Sequence, residues 1–340
     1  MVSISVALAT YNGARFLREQ LKSLADQSHL PDQLVVGDDG SSDGTMEILK
    51  EFRKRAPFPV HIHRNETNLG YARNFLATAQ RCNGDWIAFC DQDDVWLPNK
   101  LADAASEIER TLGCCMVLQN AWLCDSALAS RNHKFPDRLR TGLHGSCEQY
   151  GFWVWPGFLK TIRSDMLNLL GDEEMPRSWF PRESHLTHDK WTCIIANAIG
   201  GVVVLEDPAA LYRRHDAALT GDYNRQTLGE RVTKARSVSA DHYDFLADVA
   251  GECARYMDRL SQRTKNPKWA SALRENSYDF LKLQKTQRLR SQLYAGHRFV
   301  NRLAPFFGIL REGGYFGAPF TAMGSRSAAK DAVRVVFGNS

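Results

Sequence analysis

The chain has 340 residues, enough for one large α/β domain with an appendage or for two modest domains. Its 44% hydrophobic and 24% charged residues are those of an ordinary soluble globular protein, and the longest apolar stretch, residues 193–205, is too short to cross a bilayer. The net charge of +4 hides an asymmetry, −6 over residues 1–224 and +10 over 225–340, which suggests a catalytic or binding body and a basic appendage facing something anionic.

The opening MVSISVALAT lacks a basic n-region, so no secretory leader is expected. The eight cysteines contain no CxxC pair and several sit in apolar runs, which predicts reduced core thiols in a cytosolic protein. In chain order, ISVALAT (4–10) predicts a buried strand, and Phe16, Leu17, Leu21 and Leu24 predict an amphipathic helix over about 14–27. QLVVGDD is a second strand and SSDGTMEILKEFRKR a helix opened by capping residues. PVHIHR, GYARNFLATAQRC and DWIAFC continue the alternation, and Pro98 starts a fourth helix. Strands alternating with helices of this length predict a mostly parallel sheet covered on both faces, whose ligands bind beyond the carboxyl ends of the strands. Further on, MVLQNAWLCD reads as a strand, 126–148 as an irregular loop, and THDKWTCIIANAIGG as a helix starting near Thr187. VVVLED is a strand, AALYRRH an edge-like segment, and everything after about 225 is helical.

Each of the first four strands ends in polar residues, and the fourth empties into Asp91, Asp93 and Asp94. Asp-x-Asp at a strand end projects two carboxylates to one face, because side chains alternate with period two. Hard oxygen ligands of this kind hold Mg²⁺ or Mn²⁺ together with substrate phosphates. A solvated acidic turn is the competing reading. At the second strand end, VVGDDGSSDGT offers Asp38 or Asp39 either as part of a helix-capping turn or as an acceptor for the N3–H of uracil or thymine. No GxGxxG motif is present, which argues against a dinucleotide oxidoreductase.

SVALATYNG, VVGDDGSSDGT, NLGYARNF and IAFCDQDDVWLPNKL, in this order and spacing, resemble the nucleotide-binding half of family 2 glycosyltransferases with the GT-A fold. DQDDVW is similar to the same segment in bacterial enzymes that add rhamnose or other hexoses to surface polysaccharides. The resemblance covers residues 1–110 and implies a GT-A catalytic domain over 1–224, with 111–224 as its acceptor half and 225–340 as a helical basic region. It implies that Thr10, Tyr11 and Asp39 or Asp38 hold the base of a nucleoside-diphosphate sugar, dTDP- or UDP-linked, supported by Asn68 and Arg73. Asp91 would meet ribose and metal, Asp93 the metal, and Mn²⁺ or Mg²⁺ would be the cofactor.

Inverting members of the family use a carboxylate base near a helix start, and HDKW makes Asp189 the candidate; a helix-dipole aspartate is the bland alternative. Partial desolvation is expected to raise its basicity. His215 in LYRRH is a third metal ligand or phosphate contact, or a packed histidine. Trp153 and Trp155 in YGFWVWPGF, and Trp191 after the base, would stack an acceptor sugar, with buried core as the other reading. His185 and His188 lack the further ligands a zinc site needs.

Between 281 and 340, ten Lys and Arg face two acids and interleave with aromatic residues, which suits an anionic membrane surface. Nucleic acid is not expected, since no binding motif accompanies the charge. The expected location is therefore the inner face of the cell membrane, peripherally bound, with a glycan or lipid-linked glycan as acceptor. A chain ending near 280 is expected to keep the nucleotide site, the alternative being that late helices such as 266–292 pack on the sheet and the cut unfolds the protein. Competing functions are a nucleotidyltransferase, for which residues 10–15 lack a basic phosphate loop, and a non-catalytic nucleotide-sugar-binding protein.

Overall fold

A computed structural model describes residues 2–136, 141–171, 174–180, 183–215 and 238–338. The expected boundary at 224/225 lies outside the described residues. The first strands and helices fall where apolar periodicity predicts: β1 (Ile4–Thr10), α1 (Leu17–Ala25), β2 (Gln33–Asp38), α2 (Thr45–Arg53), β3 (Val60–Arg64), α3 (Tyr71–Ala79) and β4 (Trp86–Cys90). β1, β2 and β4 are buried along their whole length, as strands covered on both faces should be. β1 pairs in parallel with β2 on one side and β4 on the other, and β2 pairs in parallel with β3. The chain thus reverses direction across the sheet beside β1, and the carboxyl ends of all four strands share one edge.

β5 (Val95–Trp96) and α4 (Lys100–Arg110) follow, then β6 (Met116–Cys124), β7 (Ser130–Phe135), β8 (Gly142–His144) and β9 (Lys160–Arg163). α5 (His188–Ile199) leads into β10 (Val202–Arg213). The sheet path is β3-β2-β1-β4-β9-β6-β10-β5, with β7 on β6 and β8 on β10. β9 runs antiparallel between β4 and β6, while β10 is parallel to β6, so the sheet is mixed in its second half.

Two expectations need correcting. The loop expected over 126–148 contains β7 and β8. The segments VVVLED and AALYRRH form one strand rather than a strand plus an edge piece. Register shifts around Pro208 let β10 bend without breaking its pairing, and β6 on one side and β5 and β8 on the other take it off the edge.

The basic region is helical: α6 (Ala240–Arg263), α7 (Pro267–Ala295), α8 (Phe299–Arg311) and α9 (Gly324–Phe337). Asn266 caps α7 by accepting from the Lys268 and Trp269 amides, with Pro267 in the first turn. These helices do not stand apart. Leu273, Phe280 and Leu283 of α7, Met257 and Leu260 of α6, and Phe320 belong to the same buried cluster as β1, β4 and α5. A second, smaller cluster joins Tyr243, Leu293, Tyr294, Ile309, Tyr315 and Val335.

Candidate active site

At the carboxyl edge, Asp91, Asp93 and Asp94 bring ligand oxygens within 4.8 Å of one another. Burial first, then Asp93 and Asp189, push the Asp91 carboxyl up to about 8, and Asp94 is raised well above the carboxylate range by burial and its two neighbours. Three oxyanions this close repel unless a cation lies among them. Asp94 Oδ2 is buried without a partner, and the donors are all hard oxygens, so the cluster suits a divalent cation such as Mg²⁺ or Mn²⁺.

The tether of this cluster comes from far along the chain. Pairing of β5 with β10 carries Arg213 and His215 to it. The Arg213 amide donates to Asp94 Oδ1 at 3.0 Å and its Nε to the Asp93 carbonyl at 2.8 Å, while its guanidinium also pairs with Glu19 and lies 4.4 Å from the Phe16 ring centre. His215 Nε2 lies 2.9 Å from Asp93 Oδ2, and its ring packs against Phe16 at 4.7 Å. His215 thus holds a carboxylate of the cluster. Arg213 was not anticipated from sequence; an arginine closing an apolar strand was the available signal.

A cleft of about 360 Å³ lies beyond β1–β3, lined by Tyr11, Asp39, Gly40, Arg64, Asn65, Glu66, Thr67 and Asn68. Tyr11 is exposed, and Gln92, from within the acidic loop, clamps its backbone by donating to its carbonyl and accepting from its amide. Asp39 accepts from the Leu69 and Gly70 amides and from Asn65 Nδ2, which leaves one of about four acceptor positions. Asn68 supports it through its carbonyl. Asp38 lies beneath, fully buried, accepting from Thr10 Oγ1 and the Ser41 amide, so Thr10 and Asp38 brace the wall rather than form it. Arg73 stands exposed on the first turn of α3 and outside the residues lining the cleft. Arg64, which does line it, donates to the Ser41 carbonyl.

Residues 5–169 match the family model described as glycosyl transferase family 2. That segment is a family 2 glycosyltransferase domain. The glycosyltransferase domain is 37% identical over 101 residues to abequosyltransferase RfbV of Salmonella typhimurium, covering 29% of this chain and 30% of that protein. It is 34% identical over 118 residues to dTDP-rhamnosyl transferase RfbG of Shigella flexneri, covering 34% and 38%. The chain thus matches about a third of the length of these two curated relatives. In fold, 92% of the chain superposes on 93% of TarS residues 1–349 of S. aureus, in its complex with UDP, at a TM-score of 0.55 and 19% identity. This GT-A-like likeness extends past the glycosyltransferase domain into the helical region.

On the far side of β4 from the cleft, α5 begins at the predicted place, with Thr187 as its N-cap residue. His188 stacks on Phe75 of α3 at 4.1 Å and abuts Phe89 of β4 at 5.4 Å, which seats the helix start beside the acidic cluster. Burial holds the His188 ring neutral, with its pKa pushed down to about 4. Burial acts to raise Asp189, but His188, Lys160, Lys190 and the Thr187 hydroxyl outweigh it, so its carboxyl lies below the ordinary value. The expectation of a raised pKa is corrected: His188, the two lysines and the Thr187 hydroxyl together outweigh solvent exclusion. Lys160 bonds the Asp189 carbonyl and reaches Thr192 Oγ1 at 3.0 Å, and Lys190 pairs with Glu183 at 2.6 Å.

The three tryptophans divide. Trp191 is fully buried with its Nε1 donating to the Tyr256 hydroxyl at 2.9 Å, and Trp155 is buried with its Nε1 on the Gln119 carbonyl. Neither offers a face to a sugar, and both belong to the core. Trp153 is half-buried, its ring 5.9 Å from that of Trp155.

Proposed function

We propose that the protein is a metal-dependent, inverting glycosyltransferase that moves rhamnose or another hexose from a nucleoside-diphosphate donor to a growing bacterial surface glycan. The observation that carries this reading is the convergence of the Asp91–Asp93–Asp94 cluster, the cleft beyond β1–β3 and Asp189 at one sheet edge. Relatives named as abequosyl- and dTDP-rhamnosyl transferases support the sugar class, and a TarS complex with UDP supports the donor class.

Tyr11 and Asp39 receive the base, with the remaining acceptor position of Asp39 taking a ring N–H. Asp91 and Asp93, braced by Arg213 and His215, hold the divalent cation. When bound, that cation neutralises the carboxylates and stabilises charge on the departing diphosphate. Asp189 Oδ1 is occupied by Thr187 and the Lys190 amide, so Oδ2 takes the proton from the acceptor hydroxyl. A low pKa keeps Asp189 ionised at neutral pH, and its effectiveness comes from fixed position. The half-buried Trp153 is placed to meet the acceptor. The acceptor is carried on a lipid, and the enzyme works at the inner face of the membrane.

The test is donor hydrolysis across UDP-, dTDP- and GDP-sugars with Mn²⁺ or Mg²⁺, followed by Asp189→Asn. This variant should bind nucleotide as the parent does while losing transfer. Loss of nucleotide binding in calorimetry would make Asp189 structural and place the base elsewhere.

A further inference from the structure

The last two helices turn an unusual amount of apolar surface to solvent. Phe299, Val300, Phe307, Phe316, Val333 and Val336 are 49–72% exposed. On α8, positions 299, 300, 303, 307 and 310 share one stripe at helical spacing, and on α9 positions 326, 329, 333 and 336 share another. Arg302, buried between the helices, donates from Nε to the Val335 carbonyl at 3.0 Å and thereby ties the near ends of the two stripes together.

Besides Arg302, other cations of this region have partners: Lys330 donates to the Tyr243 hydroxyl and Arg334 lies over the Tyr294 ring. Lys282, Lys285, Arg288 and Arg290 are engaged with Asp279, Glu312, Asp244 and Asp248, and Asp331 respectively. They stabilise the helical packing. Arg298, Arg311 and Arg326 remain on the surface of α8 and α9. Of the two acids beyond residue 281, Asp331 is buried against Arg290, and Glu312 is held by Lys285 and also lies 3.9 Å from Arg311, whose side chain stays 81% exposed. The face is therefore apolar, aromatic and net positive.

We propose that the outer face of α8 and α9, with Phe316 in the turn between them, docks on an anionic lipid bilayer. Exposed rings and aliphatic side chains enter the interfacial layer, and the three arginines meet lipid headgroups. The contact is interfacial: among the described residues, no helix is long and apolar enough to cross a membrane. A protein partner is the less suited occupant, because a face with cations and no free carboxylate selects an anionic surface. This names the surface behind the membrane-side placement proposed above, and it is read without turnover, so its failure and that of sugar transfer are separable.

The experiment is flotation of the full chain with phosphatidylcholine vesicles containing about 30% phosphatidylglycerol, and with phosphatidylcholine alone. Binding should favour the anionic vesicles and weaken as salt rises. The triple variant R298E/R311E/R326E should bind roughly a hundredfold more weakly. Val300→Glu with Phe307→Glu should also release the protein, and the milder Phe316→Ser should weaken it, all with unchanged thermal melting. Absence of binding to anionic vesicles, or binding that these variants leave untouched, overturns the proposal. So does self-association abolished by the apolar variants, which would make this face a contact between copies.

Discussion

Lys100 and Asp93 show how much single side chains depend on their surroundings here. Lys100 opens α4, is fully buried, and donates to Gln119 Oε1 at 3.0 Å while lying 4.7 Å from the Trp96 ring centre. Burial lowers its pKa to about 7, with Cys90 and Asp94 opposing, against about 10.4 in an unfolded chain. Between those values the unfolded chain holds a proton that the folded one has released. Stability therefore rises with pH across this window, by at most about 1.4 kcal/mol per pH unit. Urea unfolding at about pH 7 and about pH 8.5 should show the parent gaining roughly 1–2 kcal/mol relative to Lys100→Met. Parallel curves for the two proteins would mean that Lys100 keeps its proton in the folded chain across this range. For Asp93→Asn, which weakens the proposed cation site, turnover should fall at least about a hundredfold. Activity that survives EDTA in the parent would remove both the metal and this role. The clustering of Asp91 with Asp93 and the place of Asp189 in the first turn of α5 were legible because each follows a strand end or opens a helix. Arg213, Gln92 and Lys160 were not, because their roles depend on residues as far as 194 positions away.

Among the elements, the turn from α5 into β10 is the most tightly specified. Gly200 and Gly201 both have positive φ, and a Cβ on Gly201 would lie 2.1 Å from the Gly113 carbonyl oxygen. Backbone cannot yield as a flexible side chain can, so Gly201→Ala should cost about 2 kcal/mol or more. Gly113 also has positive φ but open space around its Cα, so Gly113→Ala should cost only about 1 kcal/mol. Thermal melting of the two variants checks the contrast; equal losses would show that strain rather than the clash dominates. The same turn sets the start of β10, and β10 delivers Arg213 and His215 to the acidic cluster. Early elements were read correctly because each is a local run of one period. β7, β8 and the continuous β10 were missed because a bulged or polar strand has no clean period of its own and is held by its neighbours.

For the molecule as a whole, the sheet and the helical region share one core. Phe280, Leu283 and Phe320 are buried with β1, β4 and α5, and the Gly151 amide donates to the Phe320 carbonyl at 2.9 Å. The expectation that a chain ending near 280 keeps its site is therefore corrected: that cut removes core side chains and exposes the apolar face of α5 and α6. Each large side chain withdrawn from a core costs about 2–5 kcal/mol, a large part of a typical total. Truncation after 280 should yield insoluble protein. The full chain should unfold in one transition, with tryptophan fluorescence and circular dichroism coincident. Two separated transitions would mean that the helical region folds on its own.

Local sequence by itself determined the alternation of β1–β4 with α1–α4, the sharing of one edge by their polar ends, and the family of the first half. These features depend on period, caps and short motifs, each decided within about a dozen residues. Tertiary structure alone decided which carboxylates are braced and by what, that Trp155 and Trp191 are core, and that Arg290 and Arg302 among the ten late cations are buried. Those outcomes depend on which distant segments pack together, and burial, which sets both charge state and exposure, exists only once they have done so.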